Sequence, residues 1–228
     1  MIIKRENSII PACDVSSLDK LKKLVEETYS VDGIGAYKIG FSLVIPFGIN
    51  KVAETIRDIT NIPIIYDHQK AGTDIPDTGE LFMKSCKWVN AVILFPQSGP
   101  VTEESWINAA KNEKINVIIG GEMTHKCYLK SDNGFIDDKA PEKIYKIAKK
   151  LGVNDFVVPG NKPEKIAYYR KLLGKNAVFY SPGLIAQGGK LTDSAKAAGK
   201  YWHAIIGRAL YQAKDINKAA KEFVKYIL

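Results

Sequence analysis

Asp67, Lys70 and Asp74 stand close together in the segment Tyr66-Asp67-His68-Gln69-Lys70-Ala71-Gly72-Thr73-Asp74-Ile75-Pro76-Asp77-Thr78, directly after the apolar run Ile62-Pro63-Ile64-Ile65. Carboxylates flanking an ammonium can move a proton and stabilise developing charge without a cofactor. A strand that ends in alternating charge places it in a site, because an apolar core could not hold it. A salt-bridged loop would explain these three residues alone. Lys38 tips the reading towards catalysis, because Gly35-Ala36-Tyr37-Lys38-Ile39-Gly40 puts an ammonium inside an apolar strand. Such a lysine needs a carboxylate, which Asp14 on the neighbouring strand or Asp67 on the next could supply. Asp14 taken by itself reads as a turn or cap residue.

A second constellation lies near the C-terminus. Ser181-Pro182-Gly183-Leu184-Ile185-Ala186-Gln187-Gly188-Gly189 is a glycine-rich loop, and Gly207-Arg208 follows a later apolar run. Backbone amides in such loops can face an anion, and an arginine adds a planar, permanently charged fork suited to phosphate oxygens. A purely structural glycine turn would not require the arginine.

The elements that must position these groups are short apolar runs alternating with amphipathic stretches. Strands are expected at 8–13, 35–39, 62–66, 89–94, Asn116–Gly120, 155–158, 177–180 and 203–206. Helical periodicity covers Leu18–Thr28, 49–59, 78–87, 103–112, 141–151, Pro163–Leu173 and 216–227, and more weakly 192–199. Ser17, Thr102 and Asp215 are placed as caps, Gly152 as a helix stop, and Pro141 and Pro163 in first turns. Eight strand–helix units imply a parallel sheet, and their number fits an α/β single-domain (β/α)8 TIM barrel over residues 1–228. An open doubly wound sheet is the competing arrangement, but there is no early GxGxxG segment. In a barrel, Asp14, Lys38, Asp67, Lys70, Asp74, Thr124, Pro182, Gly207 and Arg208 all fall at the C-terminal rim, with 124–139 as a loop over that face.

Composition bounds the function classes. The chain has 228 residues, 46% hydrophobic and 25% charged, with a net charge of +8. That charge favours an anionic partner, but the lysines are scattered along helical stretches as on a solvated face, so no nucleic-acid partner is expected. Cys13, Cys86 and Cys127 form no CxxC pair, so neither a disulfide framework nor a cysteine zinc site is expected in what reads as a reduced, cytoplasmic protein, and Cys13 and Cys127 read as packing residues. His68, His125 and His203 lack metal-ligand spacing, so neither a metal nor a cofactor is expected, and His203 reads as a strand residue of the core. There is no secretory leader pattern and no apolar run of membrane-span length, so no membrane partner is expected.

These motifs resemble the orotidine 5'-phosphate decarboxylase family over nearly the whole chain. Asp14 and Lys38-Ile39-Gly40 are similar to its first- and second-strand residues. Asp67, Lys70 and Asp74-Ile75-Pro76 resemble its D-x-K-x-x-D-I-P signature, with one more residue in each gap. Glu122-Met123-Thr124-His125 is similar to its E-M-S-H segment, with threonine for serine. The 181–189 loop and Gly207-Arg208 match its S-P-G…A-Q-G-G and final G-R most specifically. The resemblance implies cofactor-free decarboxylation of orotidine 5'-phosphate to UMP in pyrimidine biosynthesis, with Lys70 protonating C6 and Asp67 crowding the substrate carboxylate. It implies that Lys38 keeps the acids ionised and that Asp14 holds ribose hydroxyls. Thr124 would meet the pyrimidine edge, Gln187, Gly207 and Arg208 would hold the phosphate, and Pro182 and Gly188 would also bind the substrate. Asp74, Ile75 and Thr78 would be donated across a homodimer interface. The rival enzyme reading is a sister sugar-phosphate lyase that uses Mg2+ to hold an enediolate. A barrel that only binds a phosphometabolite or nucleic acid is the non-enzymatic alternative.

Overall fold

The computed structural model describes residues 1–68, 71–184 and 191–227. Eight parallel strands make one sheet: β1 (Asn7–Pro11), β2 (Tyr37–Gly40), β3 (Ile64–Asp67), β4 (Ala91–Leu94), β5 (Asn116–Gly120), β6 (Asp155–Val157), β7 (Val178–Ser181) and β8 (Trp202–Ile206). Their order, β1-β8-β7-β6-β5-β4-β3-β2, brings the two ends of the sheet together. Parallel bridges Ile9↔Ile34 and Ala12↔Lys38, with Cys13 N donating to Lys38 O at 2.8 Å, close the cylinder. The arrangement is a (β/α)8 barrel.

Two apolar layers follow from the period of two along each strand. Ile9 and Cys13 of the first strand region, Tyr37, Ile39, Ile64 and Tyr66 pack outward against the helices. Ile10, Ala12, Ala36, Ile65, Ile93, Ile118, Val157 and Ile205 fill the lumen. The same alternation puts positions 14, 38 and 67 on the lumen side at the top of β1, β2 and β3. Charge therefore enters the barrel at its mouth, where the apolar layers end.

The outer ring is built from α1 (Leu18–Thr28), α3 (Ile49–Arg57), α4 (Thr78–Ser85), α5 (Pro100–Asn112), α6 (Ala140–Lys150), α7 (Pro163–Leu173), α8 (Leu191–Ala198) and α10 (Ile216–Lys225), with short α2 (Phe41–Phe47) and α9 (Arg208–Tyr211). The caps expected at Ser17 and Asp215 form, accepting from Lys20 N at 3.3 Å and Lys218 N at 2.8 Å. Thr102 is not a cap. Helix α5 begins at Pro100 after Gly99, whose φ of 125° suits glycine, and the Thr102 hydroxyl instead donates to Asp74 O at 3.1 Å. Helix α2 escapes a periodicity reading because it is short, contains Pro46 and leaves Phe41 and Ile45 exposed. Segment 124–139 is less irregular than expected. It carries a 3-10 turn at Lys130–Asp132 and a bridge Leu129↔Ile136. Cys127 is exposed there at a φ of 56°, so it is not a packing residue, whereas Cys13 and Cys86 are buried. His203 is a buried β8 residue, with Nδ1 2.8 Å from Ser8 Oγ.

Candidate active site

Lys38 answers its burial with two carboxylates. Its Nζ donates to Asp67 Oδ2 at 3.1 Å and Asp14 Oδ1 at 3.4 Å, while the residue is 5% exposed. Burial alone would depress the ammonium pKa, but Asp67 and Asp14 outweigh it and hold the group above its ordinary value, so Lys38 is a fixed cation. Gly40 gives this network its room. A Cβ there would stand 3.3 Å from both Asp14 Oδ1 and Asp67 O.

The network lines one wall of a cavity of about 380 Å3 at the barrel mouth. Opposite elements contribute Thr124, Pro182, Gly183, Gly207 and Arg208, above an apolar floor that includes Ile93, Phe95, Val157 and Ile205. Arg208 is exposed and has no ion-pair partner among the described residues. The cavity thus has an end where one ammonium meets two carboxylates, an apolar floor and a cationic end at Arg208, which suits an elongated phosphorylated ligand. Among the described residues no group of three or more His, Cys, Asp or Glu could hold a metal ion.

Of the residues expected in the site, the structure brings together Asp14, Lys38, Asp67, Thr124, Pro182, Gly207 and Arg208. Asp74, Ile75 and Thr78 do not line this cavity. They form a turn beside α4, in which Ile75 N donates to Asp74 Oδ1 at 2.7 Å and the Thr78 hydroxyl to Ile75 O at 2.8 Å. Lys70, Gln187 and Gly188 lie outside the described residues. Sequence reasoning gave no site role to Phe95, Met123 or Tyr211. Phe95 and Met123 carry no polar signal, and Tyr211 becomes legible only once α9 sets it one turn beyond Arg208.

The longer spacing after β3 also has a structural counterpart. Asp67 pairs with Ile93 in register, and the next bond between the chains runs from Phe95 N to Ala71 O at 2.7 Å. Between these two anchors the β3 side advances four positions while β4 advances two. Gly72, at a φ of 91°, follows immediately. His68 leaves the strand towards an outer aromatic group, its Nδ1 hydrogen-bonded to the Tyr66 hydroxyl and its ring edge-on to Phe82.

The model of the orotidine 5'-phosphate decarboxylase / HUMPS family matches residues 7–223. Orotidine 5'-phosphate decarboxylase of Methanosarcina mazei is 30% identical over 227 residues, 99% of this chain and 97% of that protein. The Pyrococcus furiosus protein of the same name is 32% identical, covering 96% and 97% of the two chains. Among solved structures, the Methanocaldococcus jannaschii orotidine 5'-monophosphate decarboxylase complexed with the inhibitor BMP superposes with a TM-score of 0.86 at 27% identity, covering 98% of this chain and 99% of that one. The Pyrococcus horikoshii enzyme gives a TM-score of 0.80 at 27% identity, with 96% and 98% covered. The barrel, its charged mouth and these full-length matches agree, and this chain belongs to the orotidine 5'-phosphate decarboxylase / HUMPS family.

Proposed function

We propose that this chain, as one catalytic domain, decarboxylates orotidine 5'-phosphate to UMP and CO2 without a cofactor. The observation that carries the reading is the Asp14–Lys38–Asp67 network inside a barrel mouth that also holds Gly207 and Arg208. Full-length similarity to proteins named for this activity supports it.

In the reaction the bond from C6 to the carboxylate breaks, its electron pair stays on C6, CO2 leaves, and a proton is delivered to C6. The resulting carbanion has little resonance relief, so a cation beside C6 is the main requirement. Lys70 is assigned that role, supported by its place between Asp67 and Asp74 in sequence. Asp67 faces the substrate carboxylate, and Lys38 donates to both Asp67 and Asp14, holding the two carboxylates in place. Asp14 takes ribose hydroxyls and Thr124 the pyrimidine edge. Arg208, Gly207 and Pro182, with Gln187 and Gly188, take the phosphate. That grip is remote from C6, so its binding energy can serve positioning and closure.

The reading includes a homodimer in which Asp74, Ile75 and Thr78 complete the partner's site. Their position outside the cavity supports this, as does the exposure of Ile75, Leu81 and Val101 on the same side of the barrel. It also places the chain in the cytoplasm, where its three free cysteines would stay reduced. No helix among the described residues is long and apolar enough to cross a membrane.

The test is the loss of orotate absorbance when protein meets orotidine 5'-phosphate. Lys70→Ala is expected to abolish turnover while UMP still binds; normal turnover by the variant would reassign the proton donor. Turnover of a sugar phosphate that a chelator abolishes, with none of orotidine 5'-phosphate, would favour the sister lyase. Salt-sensitive nucleic-acid binding without turnover would favour a binding protein.

A further inference from the structure

Glu122 lies two residues beyond the β5 end and is 1% exposed, yet it does not line the cavity. Its Oε1 accepts from Lys162 Nζ at 2.8 Å. Its Oε2 accepts from the Tyr169 hydroxyl and has Lys165 Nζ 3.8 Å away. Lys162 also donates to Met123 O at 3.3 Å, and the neighbouring Asn161 donates through Nδ2 to Thr124 O at 2.9 Å. From the other side, the Tyr128 hydroxyl donates to Gly121 O at 2.8 Å, and Glu122 N donates to the Tyr145 hydroxyl at 3.2 Å. Every residue from Gly121 to Thr124 is thus held by a side chain of another segment. Met123 and Thr124, at the end of that run, line the cavity.

A buried ion pair gives back in attraction roughly what it loses in hydration, so its net stability is a weak reason for its presence. What this one does is geometric. The carboxylate fixes where the Lys162 ammonium sits, and Lys162 and Asn161 together fix two successive carbonyls at the cavity wall. We propose that Lys162 and Asn161, braced by Glu122, are positioning residues that set the Met123–Thr124 backbone so that the Thr124 side chain meets the pyrimidine. The inference rests on the reading of Thr124 as a substrate contact.

It is tested by steady-state kinetics on orotidine 5'-phosphate, with Asn161→Ala and Lys162→Met made singly and again in a Thr124→Ala background. Each is expected to lower kcat/KM about tenfold when Thr124 is present. In the Thr124→Ala background the same changes should cost less than about twofold, because the group they position is gone. Lys162→Arg, which retains a donor and a charge, should restore most of the activity. Thermal melts identify variants that have lost the fold. If Lys162→Met is one of them, the pair Glu122→Gln/Lys162→Met removes both charges together and takes its place. Equal losses in both backgrounds, or no loss in folded single variants, would overturn the proposal. Absence of turnover by the unmodified chain would overturn the functional reading instead, and the inference with it.

Discussion

Replacing Lys38 with methionine would remove an ammonium that Asp14 and Asp67 both accept from. Taking away one partner of a buried ionic network costs about 3 kcal/mol, to be read as a shift of the urea midpoint. The same change should lower kcat by about 100-fold or more, since it disturbs the preorganised field at the reacting carbon. Lys38 was legible in sequence because a charge inside an apolar strand is anomalous by itself. Glu103 was not. It reads as an ordinary first-turn acid of α5, yet packing leaves it 1% exposed with no side-chain partner for its carboxylate among the described residues. Burial pushes its carboxyl up to about 8, against a small opposing pull from the Ala148 backbone amide. The unfolded chain releases this proton at lower pH than the folded one, so stability falls as pH rises from about 4.5 to about 8. Glu103→Gln should therefore raise Tm by several degrees at pH 8 and change it little at pH 5, as scanning calorimetry at the two pH values would check.

At the scale of elements, the end of β3 decides whether the lengthened motif can work. The strand keeps its register to Asp67 and meets β4 again at Ala71. Gly72 makes the return possible through its φ of 91°, while the space beside it is open enough for a methyl group, with nearest neighbours at 3.5 Å. Gly72→Ala should thus cost about 1 kcal/mol from backbone strain and not from crowding, visible in chemical denaturation. Most elements were legible because helix and strand periods are local, and Leu18–Thr28 and Pro163–Leu173 lie where periodicity put them. The α5 start was not. Thr102 followed by Glu103-Glu104 looks like a cap, but Gly99-Pro100 opens the helix earlier and frees the Thr102 hydroxyl to tie down Asp74.

At the scale of the whole molecule, the outward turn at Asp74 and the apolar side chains of Leu81 and Val101, 70% and 68% exposed, form a surface suited to a second copy. On the proposed homodimer, Leu81→Glu should shift sedimentation from dimer to monomer and lower activity with it, because each site would lose the residues assigned to its neighbour. A monomeric variant with full activity would show that Asp74, Ile75 and Thr78 are not shared. The sequence by itself determined the barrel class, the order of its elements and, through the two-residue period, that positions 14, 38 and 67 point into one lumen. It also carried the motifs of the family. Only the tertiary structure decided that Lys38 bonds both acids, that Asp74 leaves its own cavity, and that Glu122 is buried among Lys162, Lys165 and Tyr169. The physical reason is range. Periodicity is set by neighbours along the chain, whereas pairing and burial depend on residues far apart in it, 47 positions for Glu122 and Tyr169 and 195 for Ser8 and His203, which come together only when the barrel closes.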